Sequence, residues 1–280
     1  MNFTTRFAPS PTGPLHLGHA YSALLAHDRA RAAGGRFLLR IDDLDQSRAR
    51  DQWERQIYDD LAWLGIEWDG PVRRQSDHFG AYTDTLDQLR RRGLTFECQC
   101  TRRDIENAAN APQEGVPEFG PDGRIYPGTC RALSLSPDAA TCTRLNMSRA
   151  SASALPAKFT ETGPLNSGTH NLAQDDLLSS IGDVVLSRRN MAASYHLSVV
   201  LDDAATGVTH VIRGTDLFES TRIHVLLQHI FGLPTPVYYH HDLIRDDAGK
   251  RLAKRDDARA IAKFRDEGAT PKDIRRMVGL

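Results

Sequence analysis

The apolar positions near the N-terminus form two short runs separated by a long segment with helical character. Residues 3–7 and 37–41 are the short runs, and residues 17–33 lie between them and end at Gly34 and Gly35. Short apolar runs bounded by turn residues are typical of buried strands, and glycine commonly ends a helix. The pattern therefore predicts a β-α-β unit, with Asp42 directly after its second strand.

Helical and extended patterns continue to alternate along the chain. Trp53, Ile57, Leu61 and Leu64 recur at helical spacing as expected core positions, and Ser47 is the expected N-cap of their helix. The further predicted elements are a helix over 77–92, strands at 95–98 and 183–187, a helix over 194–203, a strand at 208–213, a helix over 217–231, a strand at 237–241 and short charged helices up to 280.

Residues 98–172 lack this periodicity and are rich in Pro, Gly, Ser, Asn and Thr, which predicts an inserted subdomain with long loops. The alternation elsewhere predicts a Rossmann-like, doubly wound α/β fold with a mostly parallel sheet, whose ligands bind beyond the carboxyl ends of the strands. We expect four parts: 1–97 and 173–245 as the halves of a nucleotide-binding fold, 98–172 as the insertion, and 246–280 as a loop with C-terminal helices.

Composition and charge exclude several classes of protein. The 280 residues are 40% apolar and 25% charged, which suits a globular chain, and the net charge of −1 does not favour general nucleic-acid binding. Local basic clusters occur at 90–92, 102–103, 188–189 and 250–259, and each is equally consistent with a solvated helix face.

Targeting and disulfide signals are also missing from the sequence. No apolar run approaches the ~20 residues of a membrane span, and no apolar signal core follows the N-terminus. The four cysteines do not resemble a secreted disulfide scaffold. We therefore expect a cytoplasmic protein that does not bind membranes.

The run PSPTGPLHLGH at residues 9–19 places a stiff turn ahead of His16 and His19, where the first helix begins. Unpaired N–H groups and the positive end of the helix dipole make such a position suitable for a phosphate. The two histidines are three residues apart and share a helical face, and Gly18 lets a flat ring approach the backbone. The alternative is an ordinary strand-turn-helix junction.

This run resembles the HIGH signature of class I aminoacyl-tRNA synthetases in its glutamyl form. RLAKR at residues 251–255 resembles the KMSKS loop, which usually reads KLSKR in this subgroup; Arg251 and Ala253 differ, and Lys254 is retained. The resemblance implies that His16, Gly18, His19 and Lys254 bind ATP. It also implies that His16, His19 and Lys254 are catalytic, the imidazoles as donors to the phosphates and Lys254 as a cation for the departing pyrophosphate. Mg²⁺ would arrive with ATP.

The same resemblance implies a glutamate site. Arg6 would pair with the side-chain carboxylate, because a guanidinium binds a carboxylate in bidentate fashion. Asp42, where related sequences often carry Glu, would hold the ammonium group. The remaining expected glutamate-binding residues are Phe7, Ala8, Pro9, Ser10, Tyr195 and Arg213. A core tyrosine and a salt bridge at a sheet end are the alternatives for the last two.

Three cysteines, Cys98, Cys100 and Cys130, suit a tetrahedral zinc ion that takes one further ligand. The Cys-x-Cys and Tyr-x-x-x-Cys spacing resembles that of the short glutamyl-queuosine tRNA synthetases, which implies Tyr126 as the fourth ligand of one structural Zn²⁺. Cys142 and His170 are alternative ligands. A cluster of reduced, buried cysteines without metal is the other possibility.

Only 25 residues follow Arg255, so we expect no anticodon-binding domain. The resemblance then implies a monomeric glutamyl-queuosine tRNA(Asp) synthetase that activates glutamate with ATP in the absence of tRNA and transfers it to queuosine in tRNA(Asp). The alternatives are a truncated glutamyl-tRNA synthetase that charges a tRNA 3′ end, and a non-catalytic sensor of glutamyl-adenylate.

Overall fold

The computed structural model describes residues 2–109, 119–138, 141–244 and 259–280. The strands are β1 Thr4–Phe7, β2 Arg36–Ile41, β3 Arg73–Arg74, β4 Thr95–Cys98, β5 Phe119–Gly120, β6 Gly123–Arg124, β7 Cys142–Leu145, β8 Lys158–Glu161, β9 Gly168–Asn171, β10 Val185–Ser187, β11 His210–Gly214 and β12 Val237–His241. The helices are α1 Leu17–Ala32, α2 Asp51–Trp63, α3 Phe79–Arg91, α4 Arg102–Ala109, α5 Met147–Ala154, α6 Gln174–Asp176, α7 Tyr195–Ala205, α8 Thr221–Phe231, α9 Ile261–Asp266 and α10 Pro271–Val278.

The central sheet is mostly parallel, as the alternating pattern predicts. β1, β2 and β3 form one parallel group, and β11, β12 and β8 form another, with β9 antiparallel at its edge. Thr4 and Thr209 join the groups, since each backbone N–H donates to an oxygen of the other residue at 2.9 Å. β1 and β11 therefore lie side by side and end together, at the kind of position where open α/β sheets bind ligands.

The polar segment after β4 contains more regular structure than the long loops that the sequence predicts. It carries α4, β7, α5, β8 and β9, and the antiparallel order β10-β7-β4 forms a separate small sheet. These elements have only four to eight residues, too short for a clear apolar period. Because β8 pairs with β12, the last part of the segment adds to the main sheet. The boundaries at 98 and 172 stay predictions.

Several element boundaries also differ from expectation. Ser47 does not cap α2, which begins at Asp51; its hydroxyl and N–H instead donate to Asp45 at 2.5 and 3.2 Å. The predicted helix 217–231 begins only at Thr221, after a 3₁₀ turn at Thr215–Leu217. β4 and β12 have the predicted bounds.

Two apolar clusters flank the central sheet. One contains the buried faces of α1, α2 and α10, and the other packs α5, α7 and α8 beside it. Ile274 and Val278 of α10 are buried against α1, so the C-terminal segment belongs to the first core. Within the described residues, none of the helices has the length and apolar character needed to cross a membrane.

Candidate active site and candidate metal centre

A cavity of about 370 Å³ opens at the carboxyl ends of β1, β2 and β11. Nine of the predicted site residues line it: Arg6, Phe7, Ala8, His16, Gly18, His19, Asp42, Tyr195 and Arg213. Pro9 and Ser10 are not among its lining residues; Pro9 is buried and its carbonyl accepts the Asp42 N–H at 3.0 Å, and Ser10 is exposed. Lys254 lies outside the described residues.

His16 and His19 cap the N-terminus of α1 in a reciprocal arrangement. The Nδ1 of His16 accepts the Gly18 N–H at 3.1 Å, and the Nδ1 of His19 accepts the His16 N–H at 3.2 Å. This is a capping box in which two imidazoles replace the usual hydroxyl and carboxylate. The ring centroids lie 3.8 Å apart, so one histidine cannot turn without disturbing the other.

The capping bonds also fix the position of the ring protons. A nitrogen that accepts a backbone N–H carries no proton, so the neutral forms of His16 and His19 carry theirs on Nε2. Both rings therefore hold an Nε2–H donor at the start of a helix, where the dipole favours anions. The His-x-x-His spacing thus has a structural function in addition to the proposed chemical one.

Arg6 belongs to a buried cluster of charges beneath the cavity. Its Nε donates to Asp203 at 3.0 Å, and Arg40 reaches the same Asp203 oxygen through Nη1 at 2.5 Å. Arg40 also donates from Nε to Asp42 at 2.7 Å. Because buried guanidinium and carboxylate groups need one another, this network fixes the direction in which Arg6 faces the cavity.

The Asp42 carboxyl is held in an unusual electrostatic state. Burial raises its pKa to about 6, and the neighbouring Arg40 only partly opposes this effect. At neutral pH the group is mostly ionised, yet only 9% of its side chain is exposed. A buried carboxylate of this kind gains from a cationic ligand group.

Arg213 is clamped from several sides. Its Nε donates to His240 Nε2 at 3.0 Å, its Nη1 contacts His224 Nδ1 at 3.1 Å, and its Nη2 donates to the Thr221 hydroxyl at 2.8 Å and to the Leu217 carbonyl at 3.2 Å. These four contacts leave one N–H of the five for a ligand. These four partners are two imidazoles, a hydroxyl and a backbone carbonyl, so they do not form the salt bridge that the alternative expects.

The tyrosine predicted for the site begins a helix. Tyr195 is the first residue of α7, and its ring centroid lies 5.7 Å from those of both His196 and His224. It lines the cavity and is only partly buried, and it also packs against the apolar cluster that contains α5, α7 and α8.

The predicted cysteines come together in a separate cluster. The Sγ atoms of Cys98, Cys100 and Cys130 all lie within 4.8 Å of one another. The Tyr126 hydroxyl oxygen is 3.4 Å from Cys98 Sγ and 3.5 Å from Cys100 Sγ, and it accepts the Cys130 N–H at 2.7 Å. A Zn–S bond of about 2.3 Å predicts sulfur–sulfur separations of about 3.8 Å in a tetrahedral site. This donor set therefore fits a zinc ion.

The alternative ligands are placed differently. Cys142 is paired with Cys98 across β4 and β7, and its thiol hydrogen bond lowers the pKa of Cys98 despite burial. Its own sulfur is not part of the three-cysteine group. His170 lies on β9, stacked on Phe159 with its Nε2 on the Asn166 carbonyl. Tyr126 is thus the fourth group at the cluster, with the Arg144 guanidinium 4.0 Å above its ring.

Sequence reasoning did not single out several polar residues of the cavity or its supporting network: Ser22, Arg40, His196, Asp203, Asp216, His224, His240 and His241. Arg40 offered a signal, because a charged residue inside an otherwise apolar strand needs a buried partner. The Asp202-Asp203 pair on the predicted helix offered another. The histidines of α8 and β12 carried no local pattern.

The basic clusters do not behave alike. Arg90 is paired with Asp87 and Glu97, as expected of a helix face. Arg102, Arg103, Arg188 and Arg189 are exposed, and Arg189 donates to the Gln99 carbonyl at 3.1 Å. Residues 250–258 of the last cluster lie outside the described residues.

Comparison with known proteins identifies the family of the chain. Residues 2–280 match the family described as tRNA synthetases class I (E and Q), catalytic domain. A Rhodobacter capsulatus protein named glutamyl-Q tRNA(Asp) synthetase is 63% identical over 99% of both chains, and a Nocardia farcinica protein of the same name is 44% identical over 96% of this chain and 81% of its own.

Solved structures of class I synthetases share the fold of the chain. The chain superposes with a TM-score of 0.77 and 26% identity on a glutamate tRNA ligase from Elizabethkingia meningosepticum in complex with its amino acid, covering all of this chain and 61% of that one. A Mycobacterium tuberculosis methionyl-tRNA synthetase shares the fold at a TM-score of 0.60 and 10% identity, over 99% of this chain and 64% of its own. The chain therefore belongs to the class I tRNA synthetases (E and Q), and within them to the glutamyl-Q tRNA(Asp) synthetases.

Proposed function

We propose that this protein activates L-glutamate with ATP to form glutamyl-adenylate and then transfers the glutamyl group to queuosine in tRNA(Asp). The observation that carries the proposal is a single cavity, lined by His16 and His19 and by Arg6 and Asp42, in a chain 63% identical along its whole length to a glutamyl-Q tRNA(Asp) synthetase. Glutamate has two anionic groups and one cationic group, and this cavity offers charges of both signs.

The charges of the cavity suggest how glutamate is held. Arg6 binds the side-chain carboxylate, and the ammonium group pairs with Asp42, whose burial makes a cationic partner favourable. The single remaining N–H of Arg213 adds one further donor. The adjoining strand end and turn consist of Phe7, Ala8, Pro9 and Ser10, and Tyr195 forms part of the cavity wall.

ATP is proposed to bind at the start of α1. The Nε2–H groups of His16 and His19 donate to phosphate oxygens, and Gly18 leaves room for close approach. Lys254 is proposed to stabilise the pyrophosphate. Leu243 and Ile244 line the cavity, and Ala260 forms a bridge with His16. Lys254 is six residues from Ala260, a span of at most about 20 Å, so the chain can bring it to the phosphates.

The first step joins two anions, so positioned donors and cations are required. A glutamate carboxylate oxygen attacks the α-phosphorus, the bond to the bridging oxygen breaks, and pyrophosphate leaves with the electron pair. Mg²⁺ bound to ATP would neutralise part of the phosphate charge. In the second step a hydroxyl oxygen of the queuosine cyclopentene diol attacks the glutamyl carbonyl carbon and its proton passes to solvent. The bond from that carbon to the phosphate oxygen breaks, and AMP leaves with the electron pair.

The three cysteines and Tyr126 are proposed to hold one structural Zn²⁺. Such an ion would tie β4 to residues 126–130, because the ligands come from both segments. Its chemistry there is structural, since four protein ligands leave no open position for a substrate. The division of the chain at residues 98 and 172 is part of the same proposal. The protein is proposed to act in the cytoplasm and as a monomer.

The test measures two reactions. Glutamate-dependent exchange of pyrophosphate into ATP without tRNA is expected, followed by transfer of radiolabelled glutamate to tRNA(Asp) that contains queuosine and not to tRNA(Asp) that lacks it. Nuclease digestion then locates the label. Label on the anticodon-loop nucleoside supports the proposal, and label on the 3′-terminal adenosine of a tRNA would replace it with a glutamyl-tRNA synthetase. Absence of all exchange and transfer would favour the sensor.

A further inference from the structure

A line of buried histidines connects the glutamate cavity to a second cavity of about 820 Å³. Arg213 lines the first cavity and Asp122 lines the second. Between them, His224 Nδ1 lies 3.1 Å from Arg213 Nη1, and His224 Nε2 lies 3.1 Å from His196 Nδ1. The line of histidines ends at Asp122, where His196 Nε2 lies 3.4 Å from a carboxylate oxygen.

The direction of each proton in this line follows from Arg213, which can only donate. The Nδ1 of His224 must therefore accept, and its proton sits on Nε2. That proton is donated to His196 Nδ1, so the proton of His196 lies on Nε2 and points to Asp122. The arrangement holds only while both histidines keep these tautomers, and the Asp122 carboxylate is the acceptor that ends it.

The environment of His224 supports its neutral form. His224 is 2% exposed, and burial together with the charge of Arg213 holds its pKa well below the usual value. The Asp122 side chain is 25% exposed. Burial tends to raise the pKa of Asp122, but the hydrogen bonds from His196 and from the Val185 N–H oppose this, and the pKa lies below its ordinary value.

The opposite side of Arg213 has a matching support. Its Nε donates to His240 Nε2, and His240 Nδ1 lies 2.5 Å from the buried carboxylate of Glu161. Arg213 is therefore held between two imidazoles, each backed by a carboxylate. Glu161 belongs to β8 of the main sheet, whereas Asp122 belongs to the turn between β5 and β6.

We propose that Asp122 and His224 are positioning residues for glutamate, and that Asp122 acts from the second cavity through His196 and His224 on Arg213. The inference rests on the proposed function of Arg213 in binding glutamate. It gives the β5–β6 turn an influence on amino-acid affinity, although the turn does not line the glutamate cavity.

The test compares two pairs of variants in pyrophosphate exchange without tRNA. H224Q keeps an acceptor and a donor, whereas H224L fills a similar volume without either. D122A removes the terminal acceptor, and E106A is its matched control, because Glu106 is an exposed carboxylate that lines the same second cavity. Melting temperatures of all four variants, compared with the wild type, distinguish a variant that fails to fold from a folded variant in which Arg213 is displaced.

We expect H224L to raise the KM for glutamate about tenfold or more, with the KM for ATP within twofold, and H224Q to recover most of the loss. D122A should raise the glutamate KM about three- to tenfold, and E106A should leave it unchanged. Equal effects of D122A and E106A, or equal effects of H224Q and H224L, would overturn the inference. If wild-type protein shows no exchange, the proposed function fails, and glutamate affinities of the same variants from calorimetry still decide the inference.

Discussion

Gly18 offers a sharp test of the proposed phosphate site, because a single methyl group added there would meet His16. A Cβ atom at Gly18 would lie 3.0 Å from His16 Cε1 and 3.2 Å from Nδ1. Ordinary carbon–carbon contacts are about 3.5–4.0 Å, so in G18A the ring must move by about 0.5 Å. The same ring accepts the Gly18 N–H at 3.1 Å, so this movement weakens the bond that directs Nε2–H.

The size of the effect follows from the displacement. A misplacement of about 1 Å in a reacting group can cost about 100-fold in rate, so a shift of about half that distance predicts an about tenfold lower kcat for pyrophosphate exchange. Stability should change little. Alanine gains about 0.5–1 kcal/mol over glycine in a helix, and the weakened capping bond costs about 1 kcal/mol.

Gly80 provides the matched control. It is also the second residue of its helix, α3, but it is exposed and a Cβ there would meet nothing within 4 Å. G80A should therefore keep wild-type exchange and gain about 0.5–1 kcal/mol of stability. Initial exchange rates at saturating glutamate and ATP, with urea denaturation of each variant, complete the assay. A folded G18A with kcat within twofold of G80A would refute the importance of the His16 orientation.

Three further outcomes are expected. D203N removes the carboxylate that the buried Arg6 and Arg40 share, and urea denaturation should show a free energy of unfolding lower by about 3–5 kcal/mol. D28N, at the more exposed pair with Arg275, should cost less than about 1 kcal/mol. Equal losses in the two variants would contradict a buried charge cluster. Burial raises the pKa of Asp42 to about 6, and only the ionised carboxylate pairs with the ammonium group, so kcat/KM for glutamate should fall as the pH drops below about 6. The kcat should fall only at lower pH, because the bound ammonium group favours the carboxylate form. A flat kcat/KM profile between pH 5 and 7 would exclude Asp42 as the ammonium-binding group. Metal analysis should find one zinc per chain in the wild type, no zinc in C130S and more weakly bound zinc in Y126F. Full zinc occupancy in C130S would show that the cysteine cluster does not hold the metal.

Much of the fold was predictable because the main sheet consists of apolar runs between helices of ordinary length. Val237–His241 and Thr95–Cys98 have the bounds that their patterns indicate. The motif at residues 9–19 also predicted the start of α1, since proline and glycine leave few alternatives there. Local sequence was sufficient in these places because local and tertiary preferences agree.

The remaining elements could not be read from local pattern. β7 has the sequence CTRL and β8 has KFTE, and four residues of mixed polarity are too few to show an apolar period. Ser47 shows the same limit, since its hydroxyl binds Asp45 and leaves α2 without a side-chain cap. Turns stabilised by Asp or Ser side chains compete with helix capping for the same backbone donors. The tertiary structure of the loop decides which of the two forms.

The candidate site divides in a similar way. Motif positions such as Arg6 and His16 could be named from sequence, but the groups that orient them could not. Asp203, which fixes Arg6, and His224, which fixes Arg213, contribute through three-dimensional contacts between residues up to 197 positions apart. The site's charge balance is therefore a property of the fold and is not visible in any single motif.

The most direct test is a crystal structure of the protein with a non-hydrolysable glutamyl-adenylate analogue. The analogue should fill the 370 Å³ cavity, with its side-chain carboxylate on Arg6 and its ammonium on Asp42. The phosphate mimic should then lie within about 3 Å of the Nε2 atoms of His16 and His19. An analogue bound elsewhere, or in this cavity with its carboxylate turned away from Arg6, would contradict the account.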